Sequence, residues 1–441
     1  MRNKALLTYK DITFTVKQFY DEVENFKRKF DNFQKIDDFV IINEDNPLFF
    51  YPLLFALWDL NKNVIFPNKD FLYGENINFA KYIITTNKIE LNVLYQKVEN
   101  LDKNNSYTVL FSSGSTGKPK GIVHKKQTFF YNATNVLDSL NIYEITSITP
   151  LKPYLVSALS HFLVHLLSES HLIFIDIDEL SNIKKISSHI DNLSYVGSPI
   201  HLVSMMPFIK NSNPTLFFSS GDIFYPSVIK DILTKFPNSS FFNVYGMAEL
   251  GGRLFINFIS SSTDELVYKN IGVNIKDIDI KIEDDEVLLK SDLLFEGYII
   301  DNSFRKREEE YFSSGDKVIK IKNHYEFFGR KNDEIKVAGN KVSMKYIEQK
   351  VSLILDDSLT PIIVNKEHTL VGNILALVLY IQDENGVKLD RKEIIAKLRD
   401  KLKSYELPHQ IYITKKLPYT QTMKIDRKEV KKMLDTMELL R

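Results

Sequence analysis

The 441-residue sequence predicts an α/β protein: a large N-terminal part of layered α/β subdomains plus a β region, then a small α+β C-terminal domain. Three observations carry this. Strand-like apolar runs alternate with helical stretches through about residue 240, which argues for layers containing much parallel sheet. From about 265 the runs become short and alternating, which argues for antiparallel pairing. The polar, glycine-punctuated segment GRKNDEIKVAGNKV (329–342) then separates these from a last helix–strand–helix succession.

VKQFYDEVENFKRKF (16–30) reads as a helix and FVII (39–42) as a strand. FFYPLLFALWDL (49–60) contains Pro52 and stops at Asp59; it is too short to span a bilayer and reads as a buried helix. NVIFP (63–67), YIIT (82–85), VLFSS, LIFID, LSYVG and LFFSS follow as strands, with SALSHFLVHLL as a buried helix among them. DIDIKI, EVLLKS, KVIKIK and YEFFG form the β region. MKYIEQKVSLIL, ILALVLYIQ and RKEIIAKLRDKLKS read as helix, strand and helix, ahead of a closing loop, LPYTQTMKIDRKEV. We place the domain boundary between 331 and 332, giving domains 1–331 and 332–441.

Lys plus Arg (57) equals Asp plus Glu (57), so no global field draws nucleic acid or an anionic membrane. With no cysteine, disulfides and thiolate metal sites are excluded. The start, MRNKALLTYKDITF, has too short an apolar run before Lys10 and Asp11 for a signal peptide. The expectation is a cytoplasmic protein without membrane insertion.

FSSGSTGKPKGIVH (111–124) concentrates hydroxyls, glycines and lysines after an apolar strand. It is not a Walker loop: counting that spacing from Gly114 lands on Pro119, and from Gly117 on Ile122. Nor is it a GxGxxG dinucleotide turn. Backbone N–H groups, hydroxyls and the ammonium groups of Lys118 and Lys120 can nonetheless grip a polyphosphate. Further motifs follow in order: NVYGMAE (243–249), EVLLKSDLLFEGY (286–298), FSSGD (312–316), GRKNDEIKVAGNKVSMKYIE (329–348) and LPYTQTMKIDRKE (417–429).

This ordered set resembles the AMP-forming acyl/aryl-CoA synthetase, peptide-synthetase adenylation domain and luciferase superfamily, over about 49–429. The resemblance implies an adenylate-forming N-terminal domain and a mobile C-terminal lid. It implies a ligase in which a carboxylate attacks the α-phosphate of ATP, releases pyrophosphate and passes as an acyl group to a thiol. Mapped residue by residue, Lys424 would lie between the carboxylate and the α-phosphate, and Glu249 would hold Mg²⁺ through oxygen. Ser112, Ser113, Gly114, Ser115, Thr116, Gly117 and Lys120 would cradle the β- and γ-phosphates. Asp316 would bind the ribose hydroxyls, with Arg330 as a fork donor. Asn243, Val244, Tyr245 and Gly246, with Ser220, Gly221 and Asp222, would flank adenine. The hinge maps to Asn332, and Gly339 would approach the thiol tunnel. The acceptor would be CoA or the phosphopantetheine of a carrier protein, since the chain has no thiol of its own.

The acid pocket would be lined by Tyr154, Leu155, Ser157, Gly197, Phe218 and Met247. Leu155 stands where amino-acid-activating members carry Asp, and cannot pair with an ammonium group; an aryl or aliphatic acid is expected instead. Ala248 stands in a Thr place, Ser314 in another, and Met423 in a Gly place. Ala248 and Met423 keep open two further readings, a slow or altered enzyme and a regulatory nucleotide-binding pseudoenzyme. A stand-alone ligase loading an acyl carrier protein is the alternative within the enzyme class. His161 and His165 stand four apart, a spacing that can chelate metal, but no third ligand is in sight.

Overall fold

The computed structural model describes residues 4–30, 39–67, 79–86, 88–102, 105–113, 119–222, 226–263, 270–321, 324–331, 334–337, 339–356, 359–368, 372–381, 389–420 and 424–440. Among them, strands gather into four sheets. The largest has nine strands, and its centre is a parallel set running Ser240–Met247, Pro214–Ser220, Leu193–Gly197, Thr146–Thr149, His171–Phe174 and Ala5–Tyr9. Antiparallel strands flank this set, Gly252–Ser260 and then Val273–Asn274 beyond the first, and Ile12–Thr15 beside the last. A second sheet of eight strands contains the hairpin Tyr107–Ser113 and Pro119–Lys125.

Between these sheets lies the apolar helix Pro47–Asp59. Asn46 caps it, accepting the N–H of Leu48 at 2.9 Å, and Pro47 stands at its start, where a missing N–H costs nothing. A helix apolar on every side must be buried on every side. Tyr51 stacks on Phe162 of the helix Val156–Leu167 with centroids 4.0 Å apart, and the Trp58 indole N–H donates to Thr108 at 2.8 Å. The helix Val16–Phe30 buries only one stripe, Phe19, Val23, Phe26 and Phe30.

The expected antiparallel region is a four-stranded sheet, Asp279–Glu283, Glu286–Lys290, Phe312–Ile321 and His324–Arg330. From Glu334 the chain builds a sheet of its own, starting with the hairpin Glu334–Val337 and Asn340–Ser343. Buried apolar clusters divide in the same way, drawing on residues 6–327 or on 337–434. Among the described residues no helix is long and apolar enough to cross a membrane.

Candidate active site

The strand Ser240–Met247 carries Asn243, Val244, Tyr245 and Gly246 to the sheet's end, where a 3₁₀ turn, Ala248–Leu250, presents Glu249. Gly246 has to be glycine: a Cβ there would sit 2.4 Å from the carbonyl oxygen of Gly252. Glu249 is half-buried, and its Oε1 accepts from the Tyr298 hydroxyl at 3.2 Å. Burial pushes its carboxyl above the usual range, which marks a carboxylate short of positive partners. Lys120 Nζ stands 5.6 Å from the centroid of the same Tyr298 ring. Tyr298 thus links the phosphate-loop lysine to the carboxylate expected to hold Mg²⁺, a part that its motif, EVLLKSDLLFEGY, does not announce.

Ser112 and Ser113 end the strand Tyr107–Ser113, in register with Lys120 and Pro119, so the two described flanks of the phosphate motif pair as antiparallel strands. Gly114, Ser115, Thr116 and Gly117 lie outside the described residues, as do the side chains of Ser112 and Ser113.

The Asp316 carboxylate, 1 % exposed, accepts from Arg330 Nε at 2.8 Å and from the Tyr245 hydroxyl. Burial, then the nearby Asp316 charge, hold the Tyr245 phenol well above its ordinary pKa, so it stays a donor. The FSSGD turn aims the carboxylate. Gly315 takes φ 71°, open to glycine, and Ser314 Oγ donates to Val287 O at 2.6 Å while accepting the Asp316 N–H at 3.1 Å. The hydroxyl does this work, which is why Ser serves in the Thr place.

A cavity of about 400 Å³ joins the two parts of the chain. Gly221, Asp222, Asn243, Tyr245, Asp316 and Arg330 line one side, and Lys345, Lys350 and Lys424 stand on the other. Lys345 Nζ lies 3.4 Å from Asp222 Oδ1. Lys345 was missed from sequence, although its place at the start of the helix Met344–Ser352, just after the hairpin, was the available signal. The Lys424 loop closes on itself: Thr420 N–H donates to Lys424 O at 2.8 Å, and Lys424 N–H to Thr420 Oγ1 at 3.1 Å. Dense protein around the Lys424 ammonium lowers its pKa below the ordinary lysine value, and Asp222 opposes the effect.

Tyr154, Leu155 and Ser157 lie half-buried at the start of the helix Val156–Leu167, and Gly197 ends the strand Leu193–Gly197. Phe218 and Met247 are buried. His161 meets the Phe218 ring edge-on at 4.9 Å. His165 Nδ1 donates to His161 O at 2.7 Å, so its Nε2 accepts from the Ser147 hydroxyl at 2.8 Å and both ring nitrogens are used. Gly339 takes φ 82° with open space where a Cβ would be, so conformation alone calls for glycine here. Asn332 and Met423 lie outside the described residues.

The profile of the family described as AMP-binding enzyme matches residues 11–298, well over half of the chain. The chain belongs to that family. The enzyme is an AMP-forming ligase of the acid–thiol class. It is 25% identical over 360 residues to a D-alanine–D-alanyl carrier protein ligase of Lactococcus lactis, covering 74% of this chain and 69% of that one. Two solved structures share its fold. The Bacillus subtilis o-succinylbenzoate CoA synthetase, with ATP and magnesium ion, has a TM-score of 0.75, 16% identity and coverage of 97% and 96%. ATP-bound MatB from Rhodopseudomonas palustris has a TM-score of 0.77, 14% identity and coverage of 99% and 97%.

Proposed function

We propose that the enzyme uses ATP and Mg²⁺ to convert a carboxylic acid lacking an α-ammonium group into its acyl-adenylate, releasing pyrophosphate. It then passes the acyl group to the thiol of CoA or of a carrier protein's phosphopantetheine. One observation carries the reading: Tyr245, Asp316 and Arg330 line the same cavity as Lys424, which arrives from the far end of the chain.

Two anions must meet for adenylation, so cations have to converge where they do. Lys424 would neutralise the carboxylate and α-phosphate as they approach, with Arg330 and Lys345 sharing that cavity. Arg330 and Tyr245 each take one acceptor position on Asp316, which leaves two of about four for ribose hydroxyls. Tyr245, with Asn243, Gly221 and Asp222 on the same wall, offers the surface for adenine. Ser112, Ser113 and Lys120, with 114–117, would hold the outer phosphates.

Glu249 suits Mg²⁺: it is a hard oxygen donor with raised proton affinity. Among the described residues no group of three such ligands gathers, so phosphate and water would complete the set, as this ion accepts. The ion would supply charge neutralisation on the phosphates.

A Leu155 side chain leaves no counter-charge for an amino acid, which favours an aryl or aliphatic acid. We place the boundary at 331/332, with Asn332 as hinge and Gly339 on the hairpin that would meet the thiol. The carrier protein ligase among the relatives supports a carrier as acceptor alongside CoA.

ATP–pyrophosphate exchange against a panel of carboxylic acids tests this. Lys424→Ala should lose about 100-fold or more in exchange while keeping its fold. Folded protein that binds ATP but exchanges with no acid would overturn the reading.

A further inference from the structure

Arg253 stands on the strand Gly252–Ser260 opposite Gly246, which lines the nucleotide cavity. Its backbone is fixed by Asn132, which accepts the Arg253 N–H at 3.1 Å and donates to its carbonyl at 2.9 Å. The side chain points into the protein, 4 % exposed, with the guanidinium carbon 4.8 Å from the centroid of the Phe218 ring. Neither Nη1 nor Nη2 has a hydrogen-bond partner. The groups facing it are neutral: burial first, and then the Arg253 charge itself, hold His161 and His165 unprotonated. The Ser194 hydroxyl is also buried without a partner; its strand neighbour in register is Leu216, two residues before Phe218 and so on the same face of the sheet. Among the described residues no acidic side chain pairs with Arg253.

A buried guanidinium offers five donors in a fixed fork, and leaving them empty is costly. Burial without a counter-ion depresses its pKa to about 9, still leaving it charged at neutral pH. A cation kept in this state is explained by a counter-charge that arrives with a ligand. The Phe218 face it covers belongs to the wall assigned above to the acid. A planar carboxylate matches the two free terminal nitrogens in a bidentate pair.

We propose that Arg253 is a specificity residue that receives a second carboxylate on the acid substrate, so that the enzyme activates a dicarboxylic acid at its far end. The inference rests on the ligase reading and on Phe218 and Met247 as the acid wall. One carboxylate of the substrate reacts beside Lys424. The other enters past Gly246 and pairs with Arg253, while a monocarboxylic acid of equal length would leave the guanidinium unpaired. An uncharged substrate tail is disfavoured for that reason.

The test uses the full-length enzyme, with aliphatic and aryl dicarboxylic acids and the monomethyl ester of each. In ATP–pyrophosphate exchange the wild type should favour at least one diacid over its half-ester by tenfold or more in kcat/KM. Arg253→Met should level that preference while still exchanging with half-esters. A wild type that uses half-esters as well as diacids, or an Arg253→Met enzyme that keeps the preference, would overturn the proposal.

Thermal melting with the same acids, without ATP, separates this from the ligase reading, because it needs no chemistry. A diacid-dependent rise in Tm that half-esters do not give, and that Arg253→Met loses, supports Arg253 even if exchange is absent. No rise with any diacid, together with no exchange preference, sinks it. Arg253→Gln, which keeps a polar side chain of similar reach, replaces Arg253→Met in every comparison if the latter does not fold.

Discussion

Glu286 Oε1 accepts the backbone N–H of Gly315 at 3.1 Å, across 29 residues of sequence. The same carboxylate accepts from Ser313, and its Oε2 from Lys331 Nζ at 2.9 Å. Burial alone would raise the Glu286 pKa, but Ser313, Lys331 and Gly315 together hold it below the usual carboxylate range. Its stabilising effect is therefore present above the unfolded-state pKa and is lost as pH falls through the lower folded-state value. Glu286→Ala should cost about 1–3 kcal/mol in urea unfolding and raise the KM for ATP by displacing the Asp316 turn. Glu286→Gln, which still accepts the Gly315 N–H, should lose less on both counts.

Asp316→Asn keeps the shape of the site and removes its charge. Nucleotide affinity, measured by calorimetry with AMP, should fall by about 10–100-fold, since charge-assisted hydrogen bonds contribute about 1.5–3 kcal/mol. An unchanged affinity would remove Asp316 from the ribose site.

Tyr298→Phe deletes the hydroxyl that donates to Glu249 and keeps the ring beside Lys120. The Mg²⁺ concentration for half-maximal exchange should rise by about 10-fold or less, in keeping with a single lost hydrogen bond of about 1 kcal/mol. Glu249→Gln should lose far more exchange, with a Mg²⁺ requirement that added metal does not restore.

Acid should destabilise this protein already between about pH 6.5 and 4. Burial holds His124 and His165 neutral down to about pH 4. In the unfolded chain both protonate near pH 6.5. The unfolded state therefore binds more protons between about pH 6.5 and 4, and stability is lost as pH falls through that window, on the order of 2–3 kcal/mol per histidine. His124 Nε2 donates to Ala248 O at 2.7 Å, next to Glu249. His124→Gln should flatten the fall of Tm between pH 7 and pH 5; an equally steep fall would acquit His124.

What the sequence by itself determined is local. The apolar run 49–58, the alternation in DIDIKI and EVLLKS, and the glycine-punctuated hairpin at 334–343 each state their own structure, because period and turn chemistry act within a few residues. Tyr245, Asp316, Arg330 and Lys424 were singled out through the resemblance of their short motifs to the family, and the structure brings all four to one cavity.

Tertiary structure alone decided which of these groups meet which. Asp222 and Lys345 are 123 positions apart, and Tyr298 and Glu249 are 49 apart. No local pattern encodes such pairs, because they follow from how sheets stack and register. Arg253 makes the point most sharply. In sequence it is one arginine after a glycine pair; only the packing of His161, Phe218 and Gly246 around it strips it of water and leaves its charge without a partner.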